Sequence, residues 1–497
     1  MKDADKKVFA NKINILNMPS AQNIWDTLGS NFSSADQAIK EFIDNALSNF
    51  RAYPLPLPQR HQVKISVHKL GDDVQVTVED NGTGIQDLCN ALTLAGKDKR
   101  ESPLNEHGYG LKHALAFFDS NNSSNYAWEL HTRTAEDSKL NRCACVVPPY
   151  DFDGINAGYE DGWDGTLGNT GTLIRFTCPM SVFATLAPES IKGKPTFAEL
   201  VSILGEHLSY TYATVLRQQE MRISLYWADG TSNGGGYLLP LLPEWEAGTL
   251  VEKPAQVIKL GSNEVTISCR YGMIRSYKDT HCYYKGNMES SGAEIRINGR
   301  VVATGLVKEI WGRARHNSLN TFLAQIDICG NSFDACPETK TAKNGLRLEK
   351  QKTIKLFKWI RATVTLPAKE SREHQLRDKL AQLKNAEDGV SNVVREKYLY
   401  TSKGMKIPVD LFVAHGEKVT LYECKYKNTT ALNAQQLRMY WNGAVYDGYQ
   451  VEEAILIAQH HPCDVQRMID TLNQEYDPEG RHYNFRLATW AEEGIAC

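Results

Sequence analysis

The stretch Glu41-Phe42-Ile43-Asp44-Asn45, read with two later ones, constrains this chain more than any other feature. The later ones are Glu79-Asp80-Asn81-Gly82-Thr83-Gly84 and Gly108-Tyr109-Gly110-Leu111-Lys112. Glu41 and Asn45 are spaced so that a helix stacks them on one face, one turn apart. Ala38, Phe42 and Ala46, with Ile39 and Ile43 beside them, supply the apolar stripe such a helix needs, and Ser33 and Ser34 are candidate N-caps. The Asn45 amide oxygen can ligate magnesium, and the Glu41 carboxylate can take a proton from water. Taken alone, the pair also fits a solvated helix surface.

Val74, Val76 and Val78 alternate with polar residues, which predicts a strand running into Asp80. Gly82 and Gly84 remove bulk beside that carboxylate, which suits a flat base whose exocyclic amine Asp80 can accept. An ordinary strand-ending turn is the competing explanation. Gly108 and Gly110 open the apolar run Leu111, Ala114, Leu115 and Phe118. Backbone N–H groups at such a helix start can hold phosphate oxygens, and Lys112 adds positive charge. Neither a Walker loop nor a dinucleotide fingerprint fits the spacing.

In this order the boxes resemble those of the GHKL ATPases: gyrase, MutL, the ninety-kilodalton heat-shock chaperones and histidine kinases. The MORC-type members are the most similar. Glu-Phe-Ile-Asp-Asn-Ala at 41–46 matches the first box; Asp80, Gly82 and Gly84 match the second. Gly108, Gly110 and Lys112 match the third, and Gly171-Thr172 before the apolar run 173–176 matches the fourth. The resemblance implies a Bergerat-fold sandwich that binds ATP and magnesium. It implies Glu41 as general base, Asn45 as magnesium ligand, Asp80 as adenine reader, and residues 85–107 as a lid. Such relatives dimerise when ATP is held, so an ATP-dependent homodimer is expected, with residues 1–30 a candidate strap.

At 497 residues the chain has room for several domains. A hydrophobic content of 42% and a charged content of 23% fit a soluble globular protein, and no apolar run is long enough to span a bilayer. No signal-peptide core follows Met1, which leads to a cytoplasmic expectation. Eleven cysteines, scattered without Cys-x-x-Cys pairs, read as reduced thiols with no zinc site. A net charge of −3 confines any nucleic-acid surface to a local patch.

Down the chain, residues 151–171 read as a long loop and Gly234-Gly235-Gly236 as a turn or loop tip. A helix is predicted at about 197–217, and a hairpin around Asn298-Gly299. Asn298-Gly299-Arg300 resembles the corresponding strand of MORC-like and MutL-like second domains, called transducers, which return a lysine to the γ-phosphate. The matching stretch, 337–345, makes Lys343 that lysine, with Lys340 the alternate. Residues 340–361 hold eight basic residues and one acid, interleaved with Phe357 and Trp359. They suit either a DNA-backbone surface or an amphipathic helix burying Ile354, Leu356 and Phe357.

After a linker at 365–372, a strand carrying Asp410 precedes a strand carrying Glu423 and Lys425. Period two puts Glu423 and Lys425 on one face, and strand pairing would bring Asp410 to it. Two carboxylates and a lysine at a sheet edge can hold a divalent metal and orient a water; an exposed edge of mixed charge is the alternative. With Gln436 and Tyr440 on the next helix, the set resembles PD-(D/E)XK nucleases, including their RecB-like members. That resemblance implies Asp410 and Glu423 as magnesium or manganese ligands, with Glu370 or Glu373 supplying a first-helix carboxylate.

The expected fold class is therefore α+β and α/β. It comprises a GHKL ATPase domain at 1–190, a transducer-like domain at 191–365 and a nuclease-like domain at 366–497. The expected function is an ATP-gated, metal-dependent DNA nuclease, with bacterial defence inferred from the company of domains. The alternative is an ATP-driven DNA clamp or remodeller that does not cut. A signalling kinase fits less well, because no phosphoacceptor-histidine helix pair stands upstream.

Overall fold

Apolar residues spaced for strands and helices sort the chain into two compact units, Met1–Leu366 and Pro367–Cys497. The structure, a computed structural model, describes residues 27–56, 59–93, 110–118, 128–148, 156–191, 193–313, 316–331, 335–340, 342–367 and 372–495, with the backbone alone at 119–120, 149–150 and 155. Gly108, Glu370, most of the expected lid and most of the expected N-terminal strap lie outside these residues.

The first unit opens on helix α1 (Ala35–Ala52), then strands β1 (Gln62–Leu70) and β2 (Asp73–Asp80). Short helix α2 (Leu88–Leu92), helix α3 (Gly110–Ser120) and strands β3 (Trp128–Arg133), β4 (Arg142–Tyr150), β5 (Ile155–Asp161) and β6 (Gly171–Pro179) follow. Helix α4 (Phe197–Thr211) leads to β7 (Arg222–Ala228) and β8 (Asn233–Tyr237). These strands form one sheet in the order β5-β4-β3-β6-β2-β1-β7-β8. Alternation gives the sheet one apolar face. Val63, Ile65 and Val67 on β1 and Val74, Val76 and Val78 on β2 share a core with Ile39, Phe42 and Ile43 of α1, Leu115 and Phe118 of α3, and Leu204 of α4. Each fully buried aliphatic or Phe side chain contributes roughly 1.5–3 kcal/mol, so this face fixes where α1 lies.

A second sheet in the same unit uses β9 (Val251–Lys259), β10 (Glu264–Met273), β11 (Gly292–Ile297), β12 (Arg300–Gly305) and β13 (Phe322–Cys329). Its order is β12-β11-β13-β10-β9, and helix α5 (Gln351–Thr363) buries Leu356 and Ile360 in its core. The turn between β11 and β12 places Asn298 at φ 48° and Gly299 at φ 81°, the left-handed pair that a two-residue hairpin needs.

In the second unit, helix α6 (Arg372–Asn385) precedes β14 (Asn392–Leu399), β15 (Ile407–His415), β16 (Lys418–Cys424), helix α7 (Ala431–Tyr446), β17 (Gln450–Ala458), helix α8 (Cys463–Leu472) and β18 (Phe485–Thr489). The sheet runs in chain order, with β14, β15 and β16 antiparallel and β16, β17 and β18 parallel. Leu376 and Leu380 of α6 cover one face; Leu437 and Trp441 of α7 and Ile469 of α8 cover the other.

Four expectations change. Strand β5 crosses the supposed loop 151–171; its residues 156–161 are all exposed, so no apolar alternation marked it. Gly234-Gly235-Gly236 lies inside β8, because glycine lets that strand lie directly on β7: Gly235 has φ +137°, and a Cβ there would overlap the Leu225 carbonyl. The helix predicted at 197–217 breaks at Tyr212. On α5, Ile354 is 44% exposed, and Thr353 takes the buried position instead.

Candidate functional site

Helix α1 is buried on nearly every side, and that forces two acids into the interior. Glu41 is 1% exposed and Asp44 is fully buried. Both meet Lys343, delivered by the loop after residue 337: its Nζ lies 2.9 Å from Glu41 Oε2 and 3.1 Å from Asp44 Oδ2. Lys340 is exposed and does not reach them. Lys343 holds φ +47°, a left-handed conformation that costs a non-glycine residue about 1 kcal/mol or more. Arg300 at the start of β12 fixes this loop. Its Nε donates to Asp44 Oδ1 at 2.8 Å and its Nη1 donates to the Lys343 carbonyl at 3.1 Å. The Tyr212 hydroxyl donates to the same Asp44 oxygen at 2.8 Å.

Burial opposes ionisation of both acids, but the outcomes differ. Burial raises Glu41 above the usual carboxylate range, with Lys343 pulling against it and Asp44 adding to it. Asp44, also penalised by burial, is held below that range by Arg300 and Lys343. Lys343 is likewise penalised by burial, but the two acids raise it and keep it charged. Glu41 Oε1 is buried and has no hydrogen-bond partner among the described residues, unlike Oε2. Gly110 presses against this carboxylate, and a Cβ there would overlap it.

Asp44, Tyr212 and Arg300 were not singled out from sequence as site residues. Asp44 stood inside the first box and Arg300 inside the Asn-Gly-Arg strand, and those boxes were the only signal available. Replacing Arg300 by Met keeps bulk but leaves Asp44 with one cation. Removing one partner of a buried pair costs about 3–5 kcal/mol. Arg300→Met should therefore lose roughly that stability in urea unfolding of the full chain at pH 7, and Arg300→Lys should lose less. Asp44 sits below its unfolded value of about 3.9, so its contribution is complete above that pH and is lost as pH falls. The difference between parent and variant should narrow in acid. Equal unfolding midpoints at pH 7 would remove Arg300 from this account.

Asp80 ends β2, and β6 lies beside it with Thr172 directly opposite. Burial pushes Asp80 up to about 7, against backbone hydrogen bonds from Gly82 and Thr172 that lower it. A Cβ at Gly82 would crowd the side chains of Asn49 and Asp80, so glycine keeps that space small but open. Thr132 sits 3.4 Å from Thr172, oxygen to oxygen. Asn45, half-buried on α1, makes no side-chain hydrogen bond among the described residues. Lys112 departs from its expected place. It is 2% exposed and donates to the Ala91 carbonyl of α2 at 2.8 Å, so in this state its amine holds the start of the expected lid rather than an open phosphate site. Burial lowers it to about 8.

Against this geometry, residues 32–133 match the family of histidine kinase-, DNA gyrase B- and HSP90-like ATPases. Residues 32–133 are a GHKL-type ATPase domain. No curated protein matches the chain. Among solved structures, one titled "Crystal Structure of N terminal domain of a DNA repair protein" aligns with 69% of this chain and 98% of its own. Its identity is 12% and its TM-score 0.36, too low to carry an argument. GHKL ATPase domains bind ATP and typically magnesium. The unpartnered Glu41 oxygen, the free Asn45 amide and the glycine at 110 fit that requirement. No helix of the described residues is long and apolar enough to cross a membrane.

Outside the GHKL-type domain, the second unit assembles its own polar cluster. β15 and β16 pair antiparallel, which brings Asp410 beside the end of β16, where its Oδ2 accepts the Cys424 N–H at 2.8 Å. Glu423 is 2% exposed and meets Lys425 Nζ at 2.6 Å. Lys425 also lies 3.5 Å from Glu373, whose other oxygen accepts the Tyr426 N–H at 3.2 Å. Among the described residues, Glu373 is the α6 carboxylate at this cluster; Glu370, the alternate, lies outside them. Burial, then the Asp410 charge, pushes Glu423 up to about 7, while Lys425 and a hydrogen bond from Tyr440 lower it. Gln436 lies one turn before Tyr440, and its Oε1 accepts from Asn433 at 2.8 Å.

Proposed function

We propose that this chain is an ATP-gated, divalent-metal-dependent DNA nuclease. The observation that carries it is the buried Glu423 with Asp410, Lys425, Glu373 and Tyr440 around it, in a chain that also holds a GHKL-type ATPase domain. In the first unit, Glu41 serves as general base, and the unpartnered Oε1 is the oxygen that accepts a proton from water. Lys343 keeps the neighbouring acids compensated and is the group to transfer to a terminal phosphate. Asn45 would hold magnesium, which supplies charge neutralisation on phosphate oxygens. Asp80, poised near neutrality, can both accept from and donate to the amidine edge of adenine. Gly82, Gly84, Gly110 and Thr172 give the pocket its close walls.

In the second unit, Asp410 and Glu423 would take a magnesium or manganese ion, since hard cations prefer carboxylate oxygens. Lys425 steadies the attacking water or the charged phosphate. Gln436 positions the strand or the DNA backbone. The exposed Lys355 and Lys358 of α5 suit a phosphate backbone, whereas Lys343 has left that basic stretch for the ATPase interior. Homodimerisation under ATP and a role in bacterial defence belong to the same proposal.

The clamp or remodeller remains a second reading, favoured by one observation. An oxygen of Asp410 is occupied by the Cys424 N–H, and Lys425 neutralises both Glu423 and Glu373. The test is incubation of the purified protein with linear and circular DNA, with magnesium or manganese, with and without ATP. Metal-dependent cuts that change with ATP support the proposal. ATP hydrolysis without any cleavage favours the clamp.

A further inference from the structure

Strand pairing also builds a mixed donor cluster on the opposite face of the large sheet. Leu130 and Val146 point into the helix-side core, so their neighbours His131 and Cys145 face the other way. His131 on β3 and Cys145 on β4 are directly paired. Cys143, on the same side of β4, is paired with Glu160 on the edge strand β5. His131 Nε2 lies 3.9 Å from Cys145 Sγ, and His131 Nδ1 lies 3.8 Å from Glu160 Oε2. One donor atom from each of His131, Cys145 and Glu160 falls within 4.8 Å of the other two. The residue paired with Cys145 on β5 is Gly158, and a Cβ there would meet nothing, so the space beside the thiol is open.

We infer that His131, Cys145 and Glu160 form a binding site for a zinc-class divalent cation on the outer face of the ATPase sheet. Cys143, paired with Glu160 on the same side of β4, is the donor we assign to the fourth position. Zinc bonds of about 2.0–2.3 Å in a tetrahedron set neighbouring donors roughly 3.3–3.8 Å apart, so three donor atoms within 4.8 Å of one another would draw together slightly on an ion. A thiol and an imidazole select a borderline-soft ion over magnesium or calcium, which take oxygen donors. The second coordination layer is also present. With Nδ1 as the ligating nitrogen, Nε2 is left to Glu129, which lies 3.4 Å from it and is itself held by Arg175 at 3.1 Å, the kind of carboxylate that orients a ligating imidazole. An ion here would tie the exposed edge strand to β3 and β4. It would also brace the loop that follows β5, where Thr166 and Leu167 donate to Glu79 and the Thr170 hydroxyl donates to the Gly82 carbonyl.

The full-length protein should be dialysed against metal-free buffer and its zinc content measured, then reloaded with cobalt(II). About one zinc per chain is expected in the parent and in Asp410→Ala, which leaves this cluster intact. Cys145→Ser and His131→Ala should lose it. The cobalt form should show an intense near-ultraviolet thiolate band that Cys145→Ser abolishes. Glu160 is exposed, so Glu160→Gln leaves the core untouched and should weaken zinc retention against a chelator at least about tenfold, the lower range for such a change. This variant decides the matter if the buried substitutions fail to fold. A parent that retains no zinc, a cobalt form without the thiolate band, or unchanged retention in Glu160→Gln would overturn the assignment.

Discussion

Glu41→Ala should bind ATP but hydrolyse it at least about a hundredfold more slowly, the lower range for losing a general base. Glu41 shares Lys343 with Asp44, so removing Glu41 leaves the lysine paired and Asp44 still bonded to Arg300 and Tyr212. The variant leaves Asp44 as the one acid facing two buried cations, so it should lose stability as Arg300→Met does, and retained ATP affinity is the sign that the site is still folded. Asp80→Ala should behave in the opposite way and lose binding, because Asp80 is the residue proposed to read the base. Steady-state turnover and nucleotide affinity measured on both variants distinguish the roles. Parent-like turnover in Glu41→Ala would sink its assignment as base.

In the second unit, alanine at Asp410, Glu423 or Lys425 should abolish DNA cleavage while ATP hydrolysis persists. Burial and the Asp410 charge push Glu423 up to about 7, and a divalent ion between the two carboxylates would draw Glu423 into the charged form. Removing either acid leaves one charged ligand, and removing Lys425 leaves Glu423 without its compensating cation at 2.6 Å. Plasmid cleavage in magnesium and in manganese measures the loss, with phosphate release as the control. Cleavage by all three variants at the parent's rate would end the nuclease proposal and leave the clamp. Altered cleavage in Glu41→Ala, with the second unit intact, would measure the coupling between the units.

Some of this arrangement was legible in the sequence because it is local. Helical spacing placed Glu41 and Asn45 on α1, and period-two alternation ran β2 into Asp80. Strand alternation also brought Glu423 and Lys425 together, although β16 ends at Cys424, one residue short of the lysine. The rest depends on pairing across long separations. Tyr212 and Arg300 reach Asp44 over 168 and 256 residues, and nothing in local periodicity marks such a partner. The histidine and cysteines of β3 and β4 carry no ligand spacing along the chain; only the register between strands brings them together. Lys112 misled for a related reason. Its place after two glycines suggests phosphate, but the side chain turns to the nearby Ala91 carbonyl.

Lys343 and Arg300 compensate acids that belong to α1, yet both come from beyond residue 190. The ATPase half of the first unit is therefore not a self-sufficient piece of protein. A fragment ended at that boundary would keep Glu41 and Asp44 in an apolar interior with neither cation to answer them. Its simplest relief would be to take up protons, which would silence the base, or to let α1 loosen from the sheet. The charge balance around Glu41 and Asp44 is thus a property that the remote loop and β12 confer, and a recombinant nucleotide-binding half would report on a different molecule.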